Sequence, residues 1–308
     1  MLNAKNSSKF TKNTKILIGL AAFLTILYMM SFTKSCTSKD SRERVKTSLV
    51  NQKYKDAIKS FELQDSSGSL TLTNMGSFWT VGRENENQVH PAASERIENL
   101  FENLIKIRNL YKISDKITEY SAFGLTNGTE FHLRYNTEDS FHELIFGNQD
   151  FSLSSRYLMT EKSTQVYEID NSLDSFLTSS IQSWAEPYLV SREVSGSSDI
   201  QTISVIYKDS DGKTRKGTIS DFKKLLDLRH GELPYESEYV LTEIQDPLAE
   251  IQIEKGDKSS IIIKIFQADS ELNSFIVKSD YYNASSKYYT SYSKISSWTY
   301  NKIKEITL

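Results

Sequence analysis

Residues 129–147 read TEFHLRYNTEDSFHELIFG, and the spacing of their apolar side chains decides the fold class. Phe131, Leu133 and Tyr135 alternate, and Leu144 and Phe146 repeat the same spacing after the polar run 136–139. Successive side chains of an extended chain point to opposite faces, so a period of two marks a half-buried strand. Two such runs joined by Asn, Thr, Glu and Asp predict an antiparallel hairpin.

The neighbouring stretches fit the same sheet. Upstream, residues 60–64 and 69–73 are short and β-prone, with Gly68 as their turn, and Phe78-Trp79-Thr80-Val81 follows Gly76 as a third strand. Ile97, Leu100, Phe101, Leu104, Ile105 and Ile107 then trace one face of a helix, with Pro91 near its start. Downstream, strands are expected at 155–160 and 165–168, followed by a helix over 172–184 that Pro187 ends.

The order then recurs. Ile203-Ser204-Val205 resembles Phe61-Glu62-Leu63, and 220–228 stands where the long helix stood. Asp246-Pro247-Leu248 before Ile251 and Ile253 echoes Gly124-Leu125 before Phe131 and Leu133. Strands at 259–266, 275–278 and 286–290, a closing helix at 291–298 and a last strand at 302–308 complete the second pass. The expected class is α+β: an N-terminal transmembrane helix, then two related, mostly antiparallel β-sheet units with helices packed on one face. The units are placed at 59–191 and 192–308.

Residues 16–33, ILIGLAAFLTILYMMSFT, carry no charge. At ~1.5 Å per residue they reach ~27 Å, enough to cross a hydrocarbon core. Ile16, Leu20, Phe23, Leu27 and Met30 represent the apolar anchor. Lys5, Lys9, Lys12 and Lys15 give the tail 1–15 a charge of +4 with no acid. A short tail kept in and a long body exported is the commoner arrangement. This places a cytoplasmic tail, a single span in the inner membrane, a polar juxtamembrane linker at 34–58 and an extracytoplasmic body. Cleavage after the apolar run would need a small-x-small site, and Ser31-Phe32-Thr33 is a poor one. Acylation at Cys36 is the third reading, behind a weak Thr33-Lys34-Ser35 box.

With 308 residues, 38% apolar and 25% charged, the chain suits a globular body, and a net charge of −3 argues against a nucleic-acid partner. Cys36 stands alone, so neither an intrachain disulfide nor a multi-cysteine zinc site can form. No Walker loop or G-x-G-x-x-G motif points to a nucleotide, and no G-x-S-x-G elbow marks a hydrolase. His132 and His142 fall on one hairpin, but Glu143 beside His142 should point to the other face, so polar strand surface is expected in place of a metal site. Asp209-Ser210-Asp211-Gly212 reads as a hairpin turn and not a calcium loop. No cofactor is expected. Tyr281, Tyr282, Tyr288, Tyr289 and Tyr292 are the candidate partner surface, with strand core as the plainer reading.

In their order, several short motifs resemble the bacterial family catalogued as domain of unknown function 4340. They are Phe78-Trp79-Thr80-Val81, the helix leucines Leu100 and Leu104, Glu119-Tyr120, Phe123-Gly124-Leu125, Leu144-Ile145-Phe146-Gly147-Asn148, Ser155-Arg156-Tyr157-Leu158 and Val166-Tyr167-Glu168-Ile169. The resemblance implies a membrane-anchored, non-enzymatic accessory subunit of an ABC-type transport or envelope system, in contact with lipid and with a permease or auxiliary subunit. It supplies no catalytic residues. The rival reading is an envelope glycan- or peptide-binding module that uses the tyrosine-rich second unit. A hydrolase would need a deep pocket uniting His132 or His142 with carboxylates.

Overall fold

The 129–147 hairpin lies inside a ten-stranded sheet. Its strands are β1 (Arg44–Thr47), β2 (Ser60–Asp65), β3 (Gly68–Asn74), β4 (Trp79–Arg83), β5 (Val89–Pro91), β6 (Arg108–Ser114), β7 (Phe131–Asn136), β8 (Phe141–Gln149), β9 (Ser155–Thr160) and β10 (Val166–Asp170). They run in the order β1-β6-β10-β9-β8-β7-β2-β3-β4-β5. A six-stranded sheet follows, from β11 (Ile200–Lys208), β12 (Thr214–Thr218), β13 (Ala249–Lys255), β14 (Ser260–Asp269), β15 (Ser274–Tyr282) and β16 (Lys287–Ser296). Its order is β12-β11-β13-β14-β15-β16. The pairings in both sheets are antiparallel. A computed structural model describes residues 20, 21, 23–25, 28, 43–126, 128–137, 140–160, 163–192, 200–209, 211–240, 245–269, 274–283 and 287–307.

The strand order recurs between the sheets. Strands β3-β2-β7-β8-β9-β10 follow one another as β12-β11-β13-β14-β15-β16 do, and a helix interrupts the chain at the same step. That helix is α1 (Ser94–Ile105) in the first sheet and the short α3 (Phe222–Leu226) in the second. Between them in sequence lies α2 (Ile181–Trp184), and after them α4 (Glu236–Tyr239) and α5 (Ser297–Glu305).

Burial follows the period of the sequence. Phe61, Leu63, Leu70, Leu72, Leu133, Phe146 and Leu158 form one core with Ile97, Leu100, Phe101 and Leu104 of α1 and Trp184 of α2. Glu95 in the first turn of α1 suits the positive end of the helix. In the second sheet Ile251, Ile253, Ile261, Ile263 and Ile265 point inward against Leu225, Leu226, Tyr300 and Ile303. Removing so much branched apolar surface from water is the main force holding each layer, at about 25 cal/mol per Å².

Several expectations are corrected. Residues 44–47, expected within the polar linker, form edge strand β1 on β6; Arg44 and Lys46 on its exposed backbone discourage further pairing. The rest of that linker runs into a 3-10 helix at Gln52–Ala57, in agreement with the short helix that the sequence allows near Val50–Ile58. Ile107 is 63% exposed, because α1 ends at Ile105 and the chain turns into β6. Pro91 closes β5 and does not start the helix. The helix expected over 172–184 splits into a 3-10 turn at Asn171–Phe176 and α2. Residues 291–296 continue β16, and 302–308, expected as a strand, belong largely to α5. Ser296 caps α5 by accepting from the Thr299 N–H, and Ile303 is buried. The anchor positions Ile16, Leu27 and Met30 lie outside the described residues, while Leu20 and Phe23 are helical and exposed. Among the described residues no helix is long and apolar enough to cross a membrane.

The two sheets meet along a narrow junction. Phe78, at the end of a loop from the first sheet, belongs to the core of the second, where its ring approaches Tyr288 at 6.0 Å and Tyr289 at 5.9 Å. The outer edge of β5 is covered by extended chain: Ala93 N–H donates to Trp184 O and Glu186 N–H to Pro91 O. The outer edge of β16 is covered where Gly231 N–H donates to Lys294 O and Lys294 N–H to Glu232 O. Arg83 and the Gln88 amide donate to the backbone carbonyls of Leu233 and Pro234.

His90 sits in this junction at 3% exposure. Burial, with His230 and the Arg83 guanidinium nearby, brings its imidazole down from 6.5 to about 3. The unfolded chain therefore binds a proton that the folded chain refuses, and stability is lost as pH falls below about 6.5. Between pH 8 and pH 5 this should remove about 2 kcal/mol. Urea midpoints at the two pH values will show it, and His90→Leu should flatten the slope. An equal slope in that variant would remove His90 as the cause.

Candidate functional site

The loop at 74–78 makes a site as well as a joint. Asn74 Oδ1 accepts from the Gly76 N–H at 2.8 Å, and Gly76 takes φ +97°, a conformation that glycine adopts without strain. This turn sets Ser77 and Phe78 between two clefts. One, of about 310 Å³, is lined by Phe78, Ile261, Tyr281, Tyr282 and Tyr288, with Lys255, Asp257 and Asn283 among its polar groups. The other, of about 370 Å³, is lined by Phe78, Trp79 and Phe101, with Lys55, Asp56 and Glu98. A more polar groove of about 560 Å³ lies elsewhere on the first sheet, near Asp65, Arg83, Ser179 and Tyr235.

The five tyrosines do not share one exposed face. Tyr281 and Tyr289 are buried and stack across the β15–β16 ladder at 4.3 Å. Burial pushes the Tyr281 hydroxyl up to about 12 and raises Tyr289 further, so both remain protonated. Tyr292 is buried on the opposite face, stacked at 3.7 Å on Tyr239 of α4. Tyr282 is half-buried, and Tyr288 is 38% exposed with its hydroxyl donating to Met75 O. Tyr281, Tyr282 and Tyr288 nonetheless converge on the smaller cleft. Phe78, the wall that completes it, comes from some two hundred residues away and had no signal in the tyrosine-rich sequence.

The two histidines of the hairpin do not meet. Tyr135 is the partner of His142 and Ile145 that of His132, which places the histidines on opposite faces. His142 stacks on Tyr135 at 4.7 Å. His132 Nδ1 lies 2.8 Å from Glu143, which also accepts from Arg134 Nε at 2.7 Å. Burial alone would raise the Glu143 carboxyl, but the hydrogen bonds from Arg134 and His132 outweigh it and hold it below its usual range. Arg134 also donates to Glu62 and Gln64. The cluster is a mutually paired polar patch on the sheet. Among the described residues no group of three His, Cys, Asp or Glu side chains could hold a metal ion. Asp209 accepts from the Asp211 and Lys213 N–H groups in a tight turn with Gly212 at φ +74°. Cys36 lies outside the described residues.

The motifs around Tyr120, Phe123, Leu125, Tyr157 and Val166 pack together. Phe123 and Tyr157 rings lie 4.8 Å apart, and the Tyr120 hydroxyl donates to Thr164 O at 2.5 Å. Gly124, at φ +66°, ends a 3-10 turn at Ile117–Phe123 and lies against Asn148. Arg156 donates to Gly147 O and, through Nε, to Asp174 at 2.6 Å. A Cβ on Gly147 would fall 2.1 Å from the Phe123 carbonyl oxygen. Backbone must move to accept it, so Gly147→Ala should cost about 3 kcal/mol. Gly231→Ala, whose Cβ would meet only Lys294 O at 3.5 Å, should stay within about 1 kcal/mol in the same denaturation assay.

Comparison with curated proteins and with solved structures finds no match. A family model matches residues 79–255, from the Trp79 strand through the 3-10 turn and the β8–β10 motifs into β13 of the second sheet. The chain therefore belongs to the family described as Domain of unknown function (DUF4340).

Proposed function

We propose that this protein is a membrane-tethered accessory subunit of an ABC-type transport or envelope system, and that it acts by binding and not by catalysis. The uncharged stretch 16–33 supports the tether, and a short tail in with a long body out is the commoner arrangement, although Lys34, Lys39, Arg42, Arg44 and Lys46 balance the four lysines of the tail. The body is two β-sheet units derived from one repeated order of elements. The observation that carries the binding reading is the aromatic-lined cleft at the junction of the sheets, with a second cleft of the first unit on the other side of Phe78. The charged side chains of the first sheet support it in turn: His132, Arg134, Glu143 and Glu62 saturate one another.

Crosslinking in native membranes tests this reading, with the full-length protein as bait and a form lacking residues 1–33 as control. Recovery of an ABC permease or its auxiliary subunit, lost without the anchor, is the expected result. Recovery of envelope polymer with no transporter component would reject the accessory role. It would favour the second reading, an envelope glycan- or peptide-binding module, for which the convergence of Tyr281, Tyr282 and Tyr288 on one cleft is the specific support.

A further inference from the structure

We infer that the two clefts flanking Ser77 and Phe78 are subsites of one groove that takes a neutral saccharide chain. The inference rests on the binding-module reading and deepens it. Both clefts are lined by Ser77 and Phe78, so a ligand that crosses this loop touches both. Each combines part-exposed aromatic surface with groups of opposite charge: Trp79 with Lys55 and Asp56, Tyr282 and Tyr288 with Lys255 and Asp257. The C–H faces of a sugar ring pack on aromatic faces, and its hydroxyls both donate and accept, which suits adjacent ammonium and carboxylate groups.

Charge excludes the obvious competitors. Glu98 makes the larger cleft net acidic, which disfavours a polyanion, and the lysine in each cleft disfavours a polycation. A peptide that binds by adding a strand would need an unpaired edge. Strands β14 and β15, which line the smaller cleft, are interior strands paired on both sides. The groove thus offers side chains and not a backbone ladder.

Titration calorimetry of the full-length protein in detergent micelles tests the inference. The probes are cellohexaose and hexa-N-acetylchitohexaose, their disaccharides, hexagalacturonate as an anionic chain, and an uncharged tyrosine-containing hexapeptide. A neutral hexasaccharide should bind at least about tenfold more tightly than its disaccharide, because the second subsite is filled without a second encounter. Tyr288→Ala should erase that advantage, and Tyr288→Phe, which keeps the ring, should retain it. Equal affinity of disaccharide and hexasaccharide would overturn the two-subsite groove. Binding of the peptide without the saccharides would overturn the ligand class and leave the module reading standing. Preference for hexagalacturonate would overturn the neutral-ligand assignment. Silence from all probes would overturn the inference, and recovery of a permease in the crosslinking experiment would then discard the module reading with it.

Discussion

Phe78→Ala is expected to make the two sheets unfold separately. The Phe78 ring is 6% exposed and packs in a core built by the other sheet, so its truncation should cost about 4 kcal/mol. The loss falls on the junction. Its other bonds are mostly to backbone carbonyls: Arg83 and Gln88 to Leu233 and Pro234, and Tyr288 to Met75. Such bonds contribute about 1 kcal/mol each and do not replace a buried ring. The unaltered protein should melt in one transition, with ellipticity and tryptophan fluorescence coincident. In the variant Trp79 and Trp184 report the first sheet and Trp298 the second, and their transitions should part by several degrees. Coincident melting at an unchanged midpoint would show that Phe78 does not couple the sheets.

Trp184→Ala should bring the largest loss within one sheet, about 4–5 kcal/mol. The indole is fully buried, packs near Phe176 at 6.3 Å and donates from Nε1 to Thr178 O at 3.0 Å. The Arg96 guanidinium lies over the ring at 4.5 Å. Alanine leaves a cavity, an unpaired carbonyl and a cation without its aromatic floor. Trp184→Phe should recover all but about 1–2 kcal/mol, because it loses the hydrogen bond but keeps most of the packing. Urea unfolding measures both. A Trp184→Phe loss as large as that of Trp184→Ala would assign the stability to the hydrogen bond and not to the packing.

The parts of this fold legible in sequence are those with a long, two-sided pattern. The β7–β8 hairpin and α1 declare themselves because many side chains repeat one period. Strands β1 and β6 do not: β1 is four edge residues, three of them polar, whose pairing depends on a distant partner. At the C-terminus Ile303 and Ile306 fit a helical spacing of three, while Ile306 and Leu308 fit a strand, and the Ser296 cap settles the matter only in three dimensions. The tyrosines show the same limit. Tyr289 and Tyr292 are three residues apart on one strand and face opposite layers, which composition cannot reveal. The cleft is illegible because its walls come from loops and strands distant in the chain.

Strand β1 has a mechanical consequence. A pull at Glu43 directed along the strand loads the pairs Arg44–Tyr111 through Thr47–Arg108 together, in shear, so the seam resists until it yields as a unit. Once it yields, the slack is bounded. Val50 is fully buried and its N–H is held by Leu104 O, which stops the release there. Freed from β6, the segment from Arg44 to Val50 is a leash of about 20 Å at ~3.3 Å per residue; already extended along the strand, it adds reach only by swinging about Val50 away from the sheet edge. The body would thus have two standoff distances from whatever holds its N-terminal side, exchanged by tension while both cores stay intact.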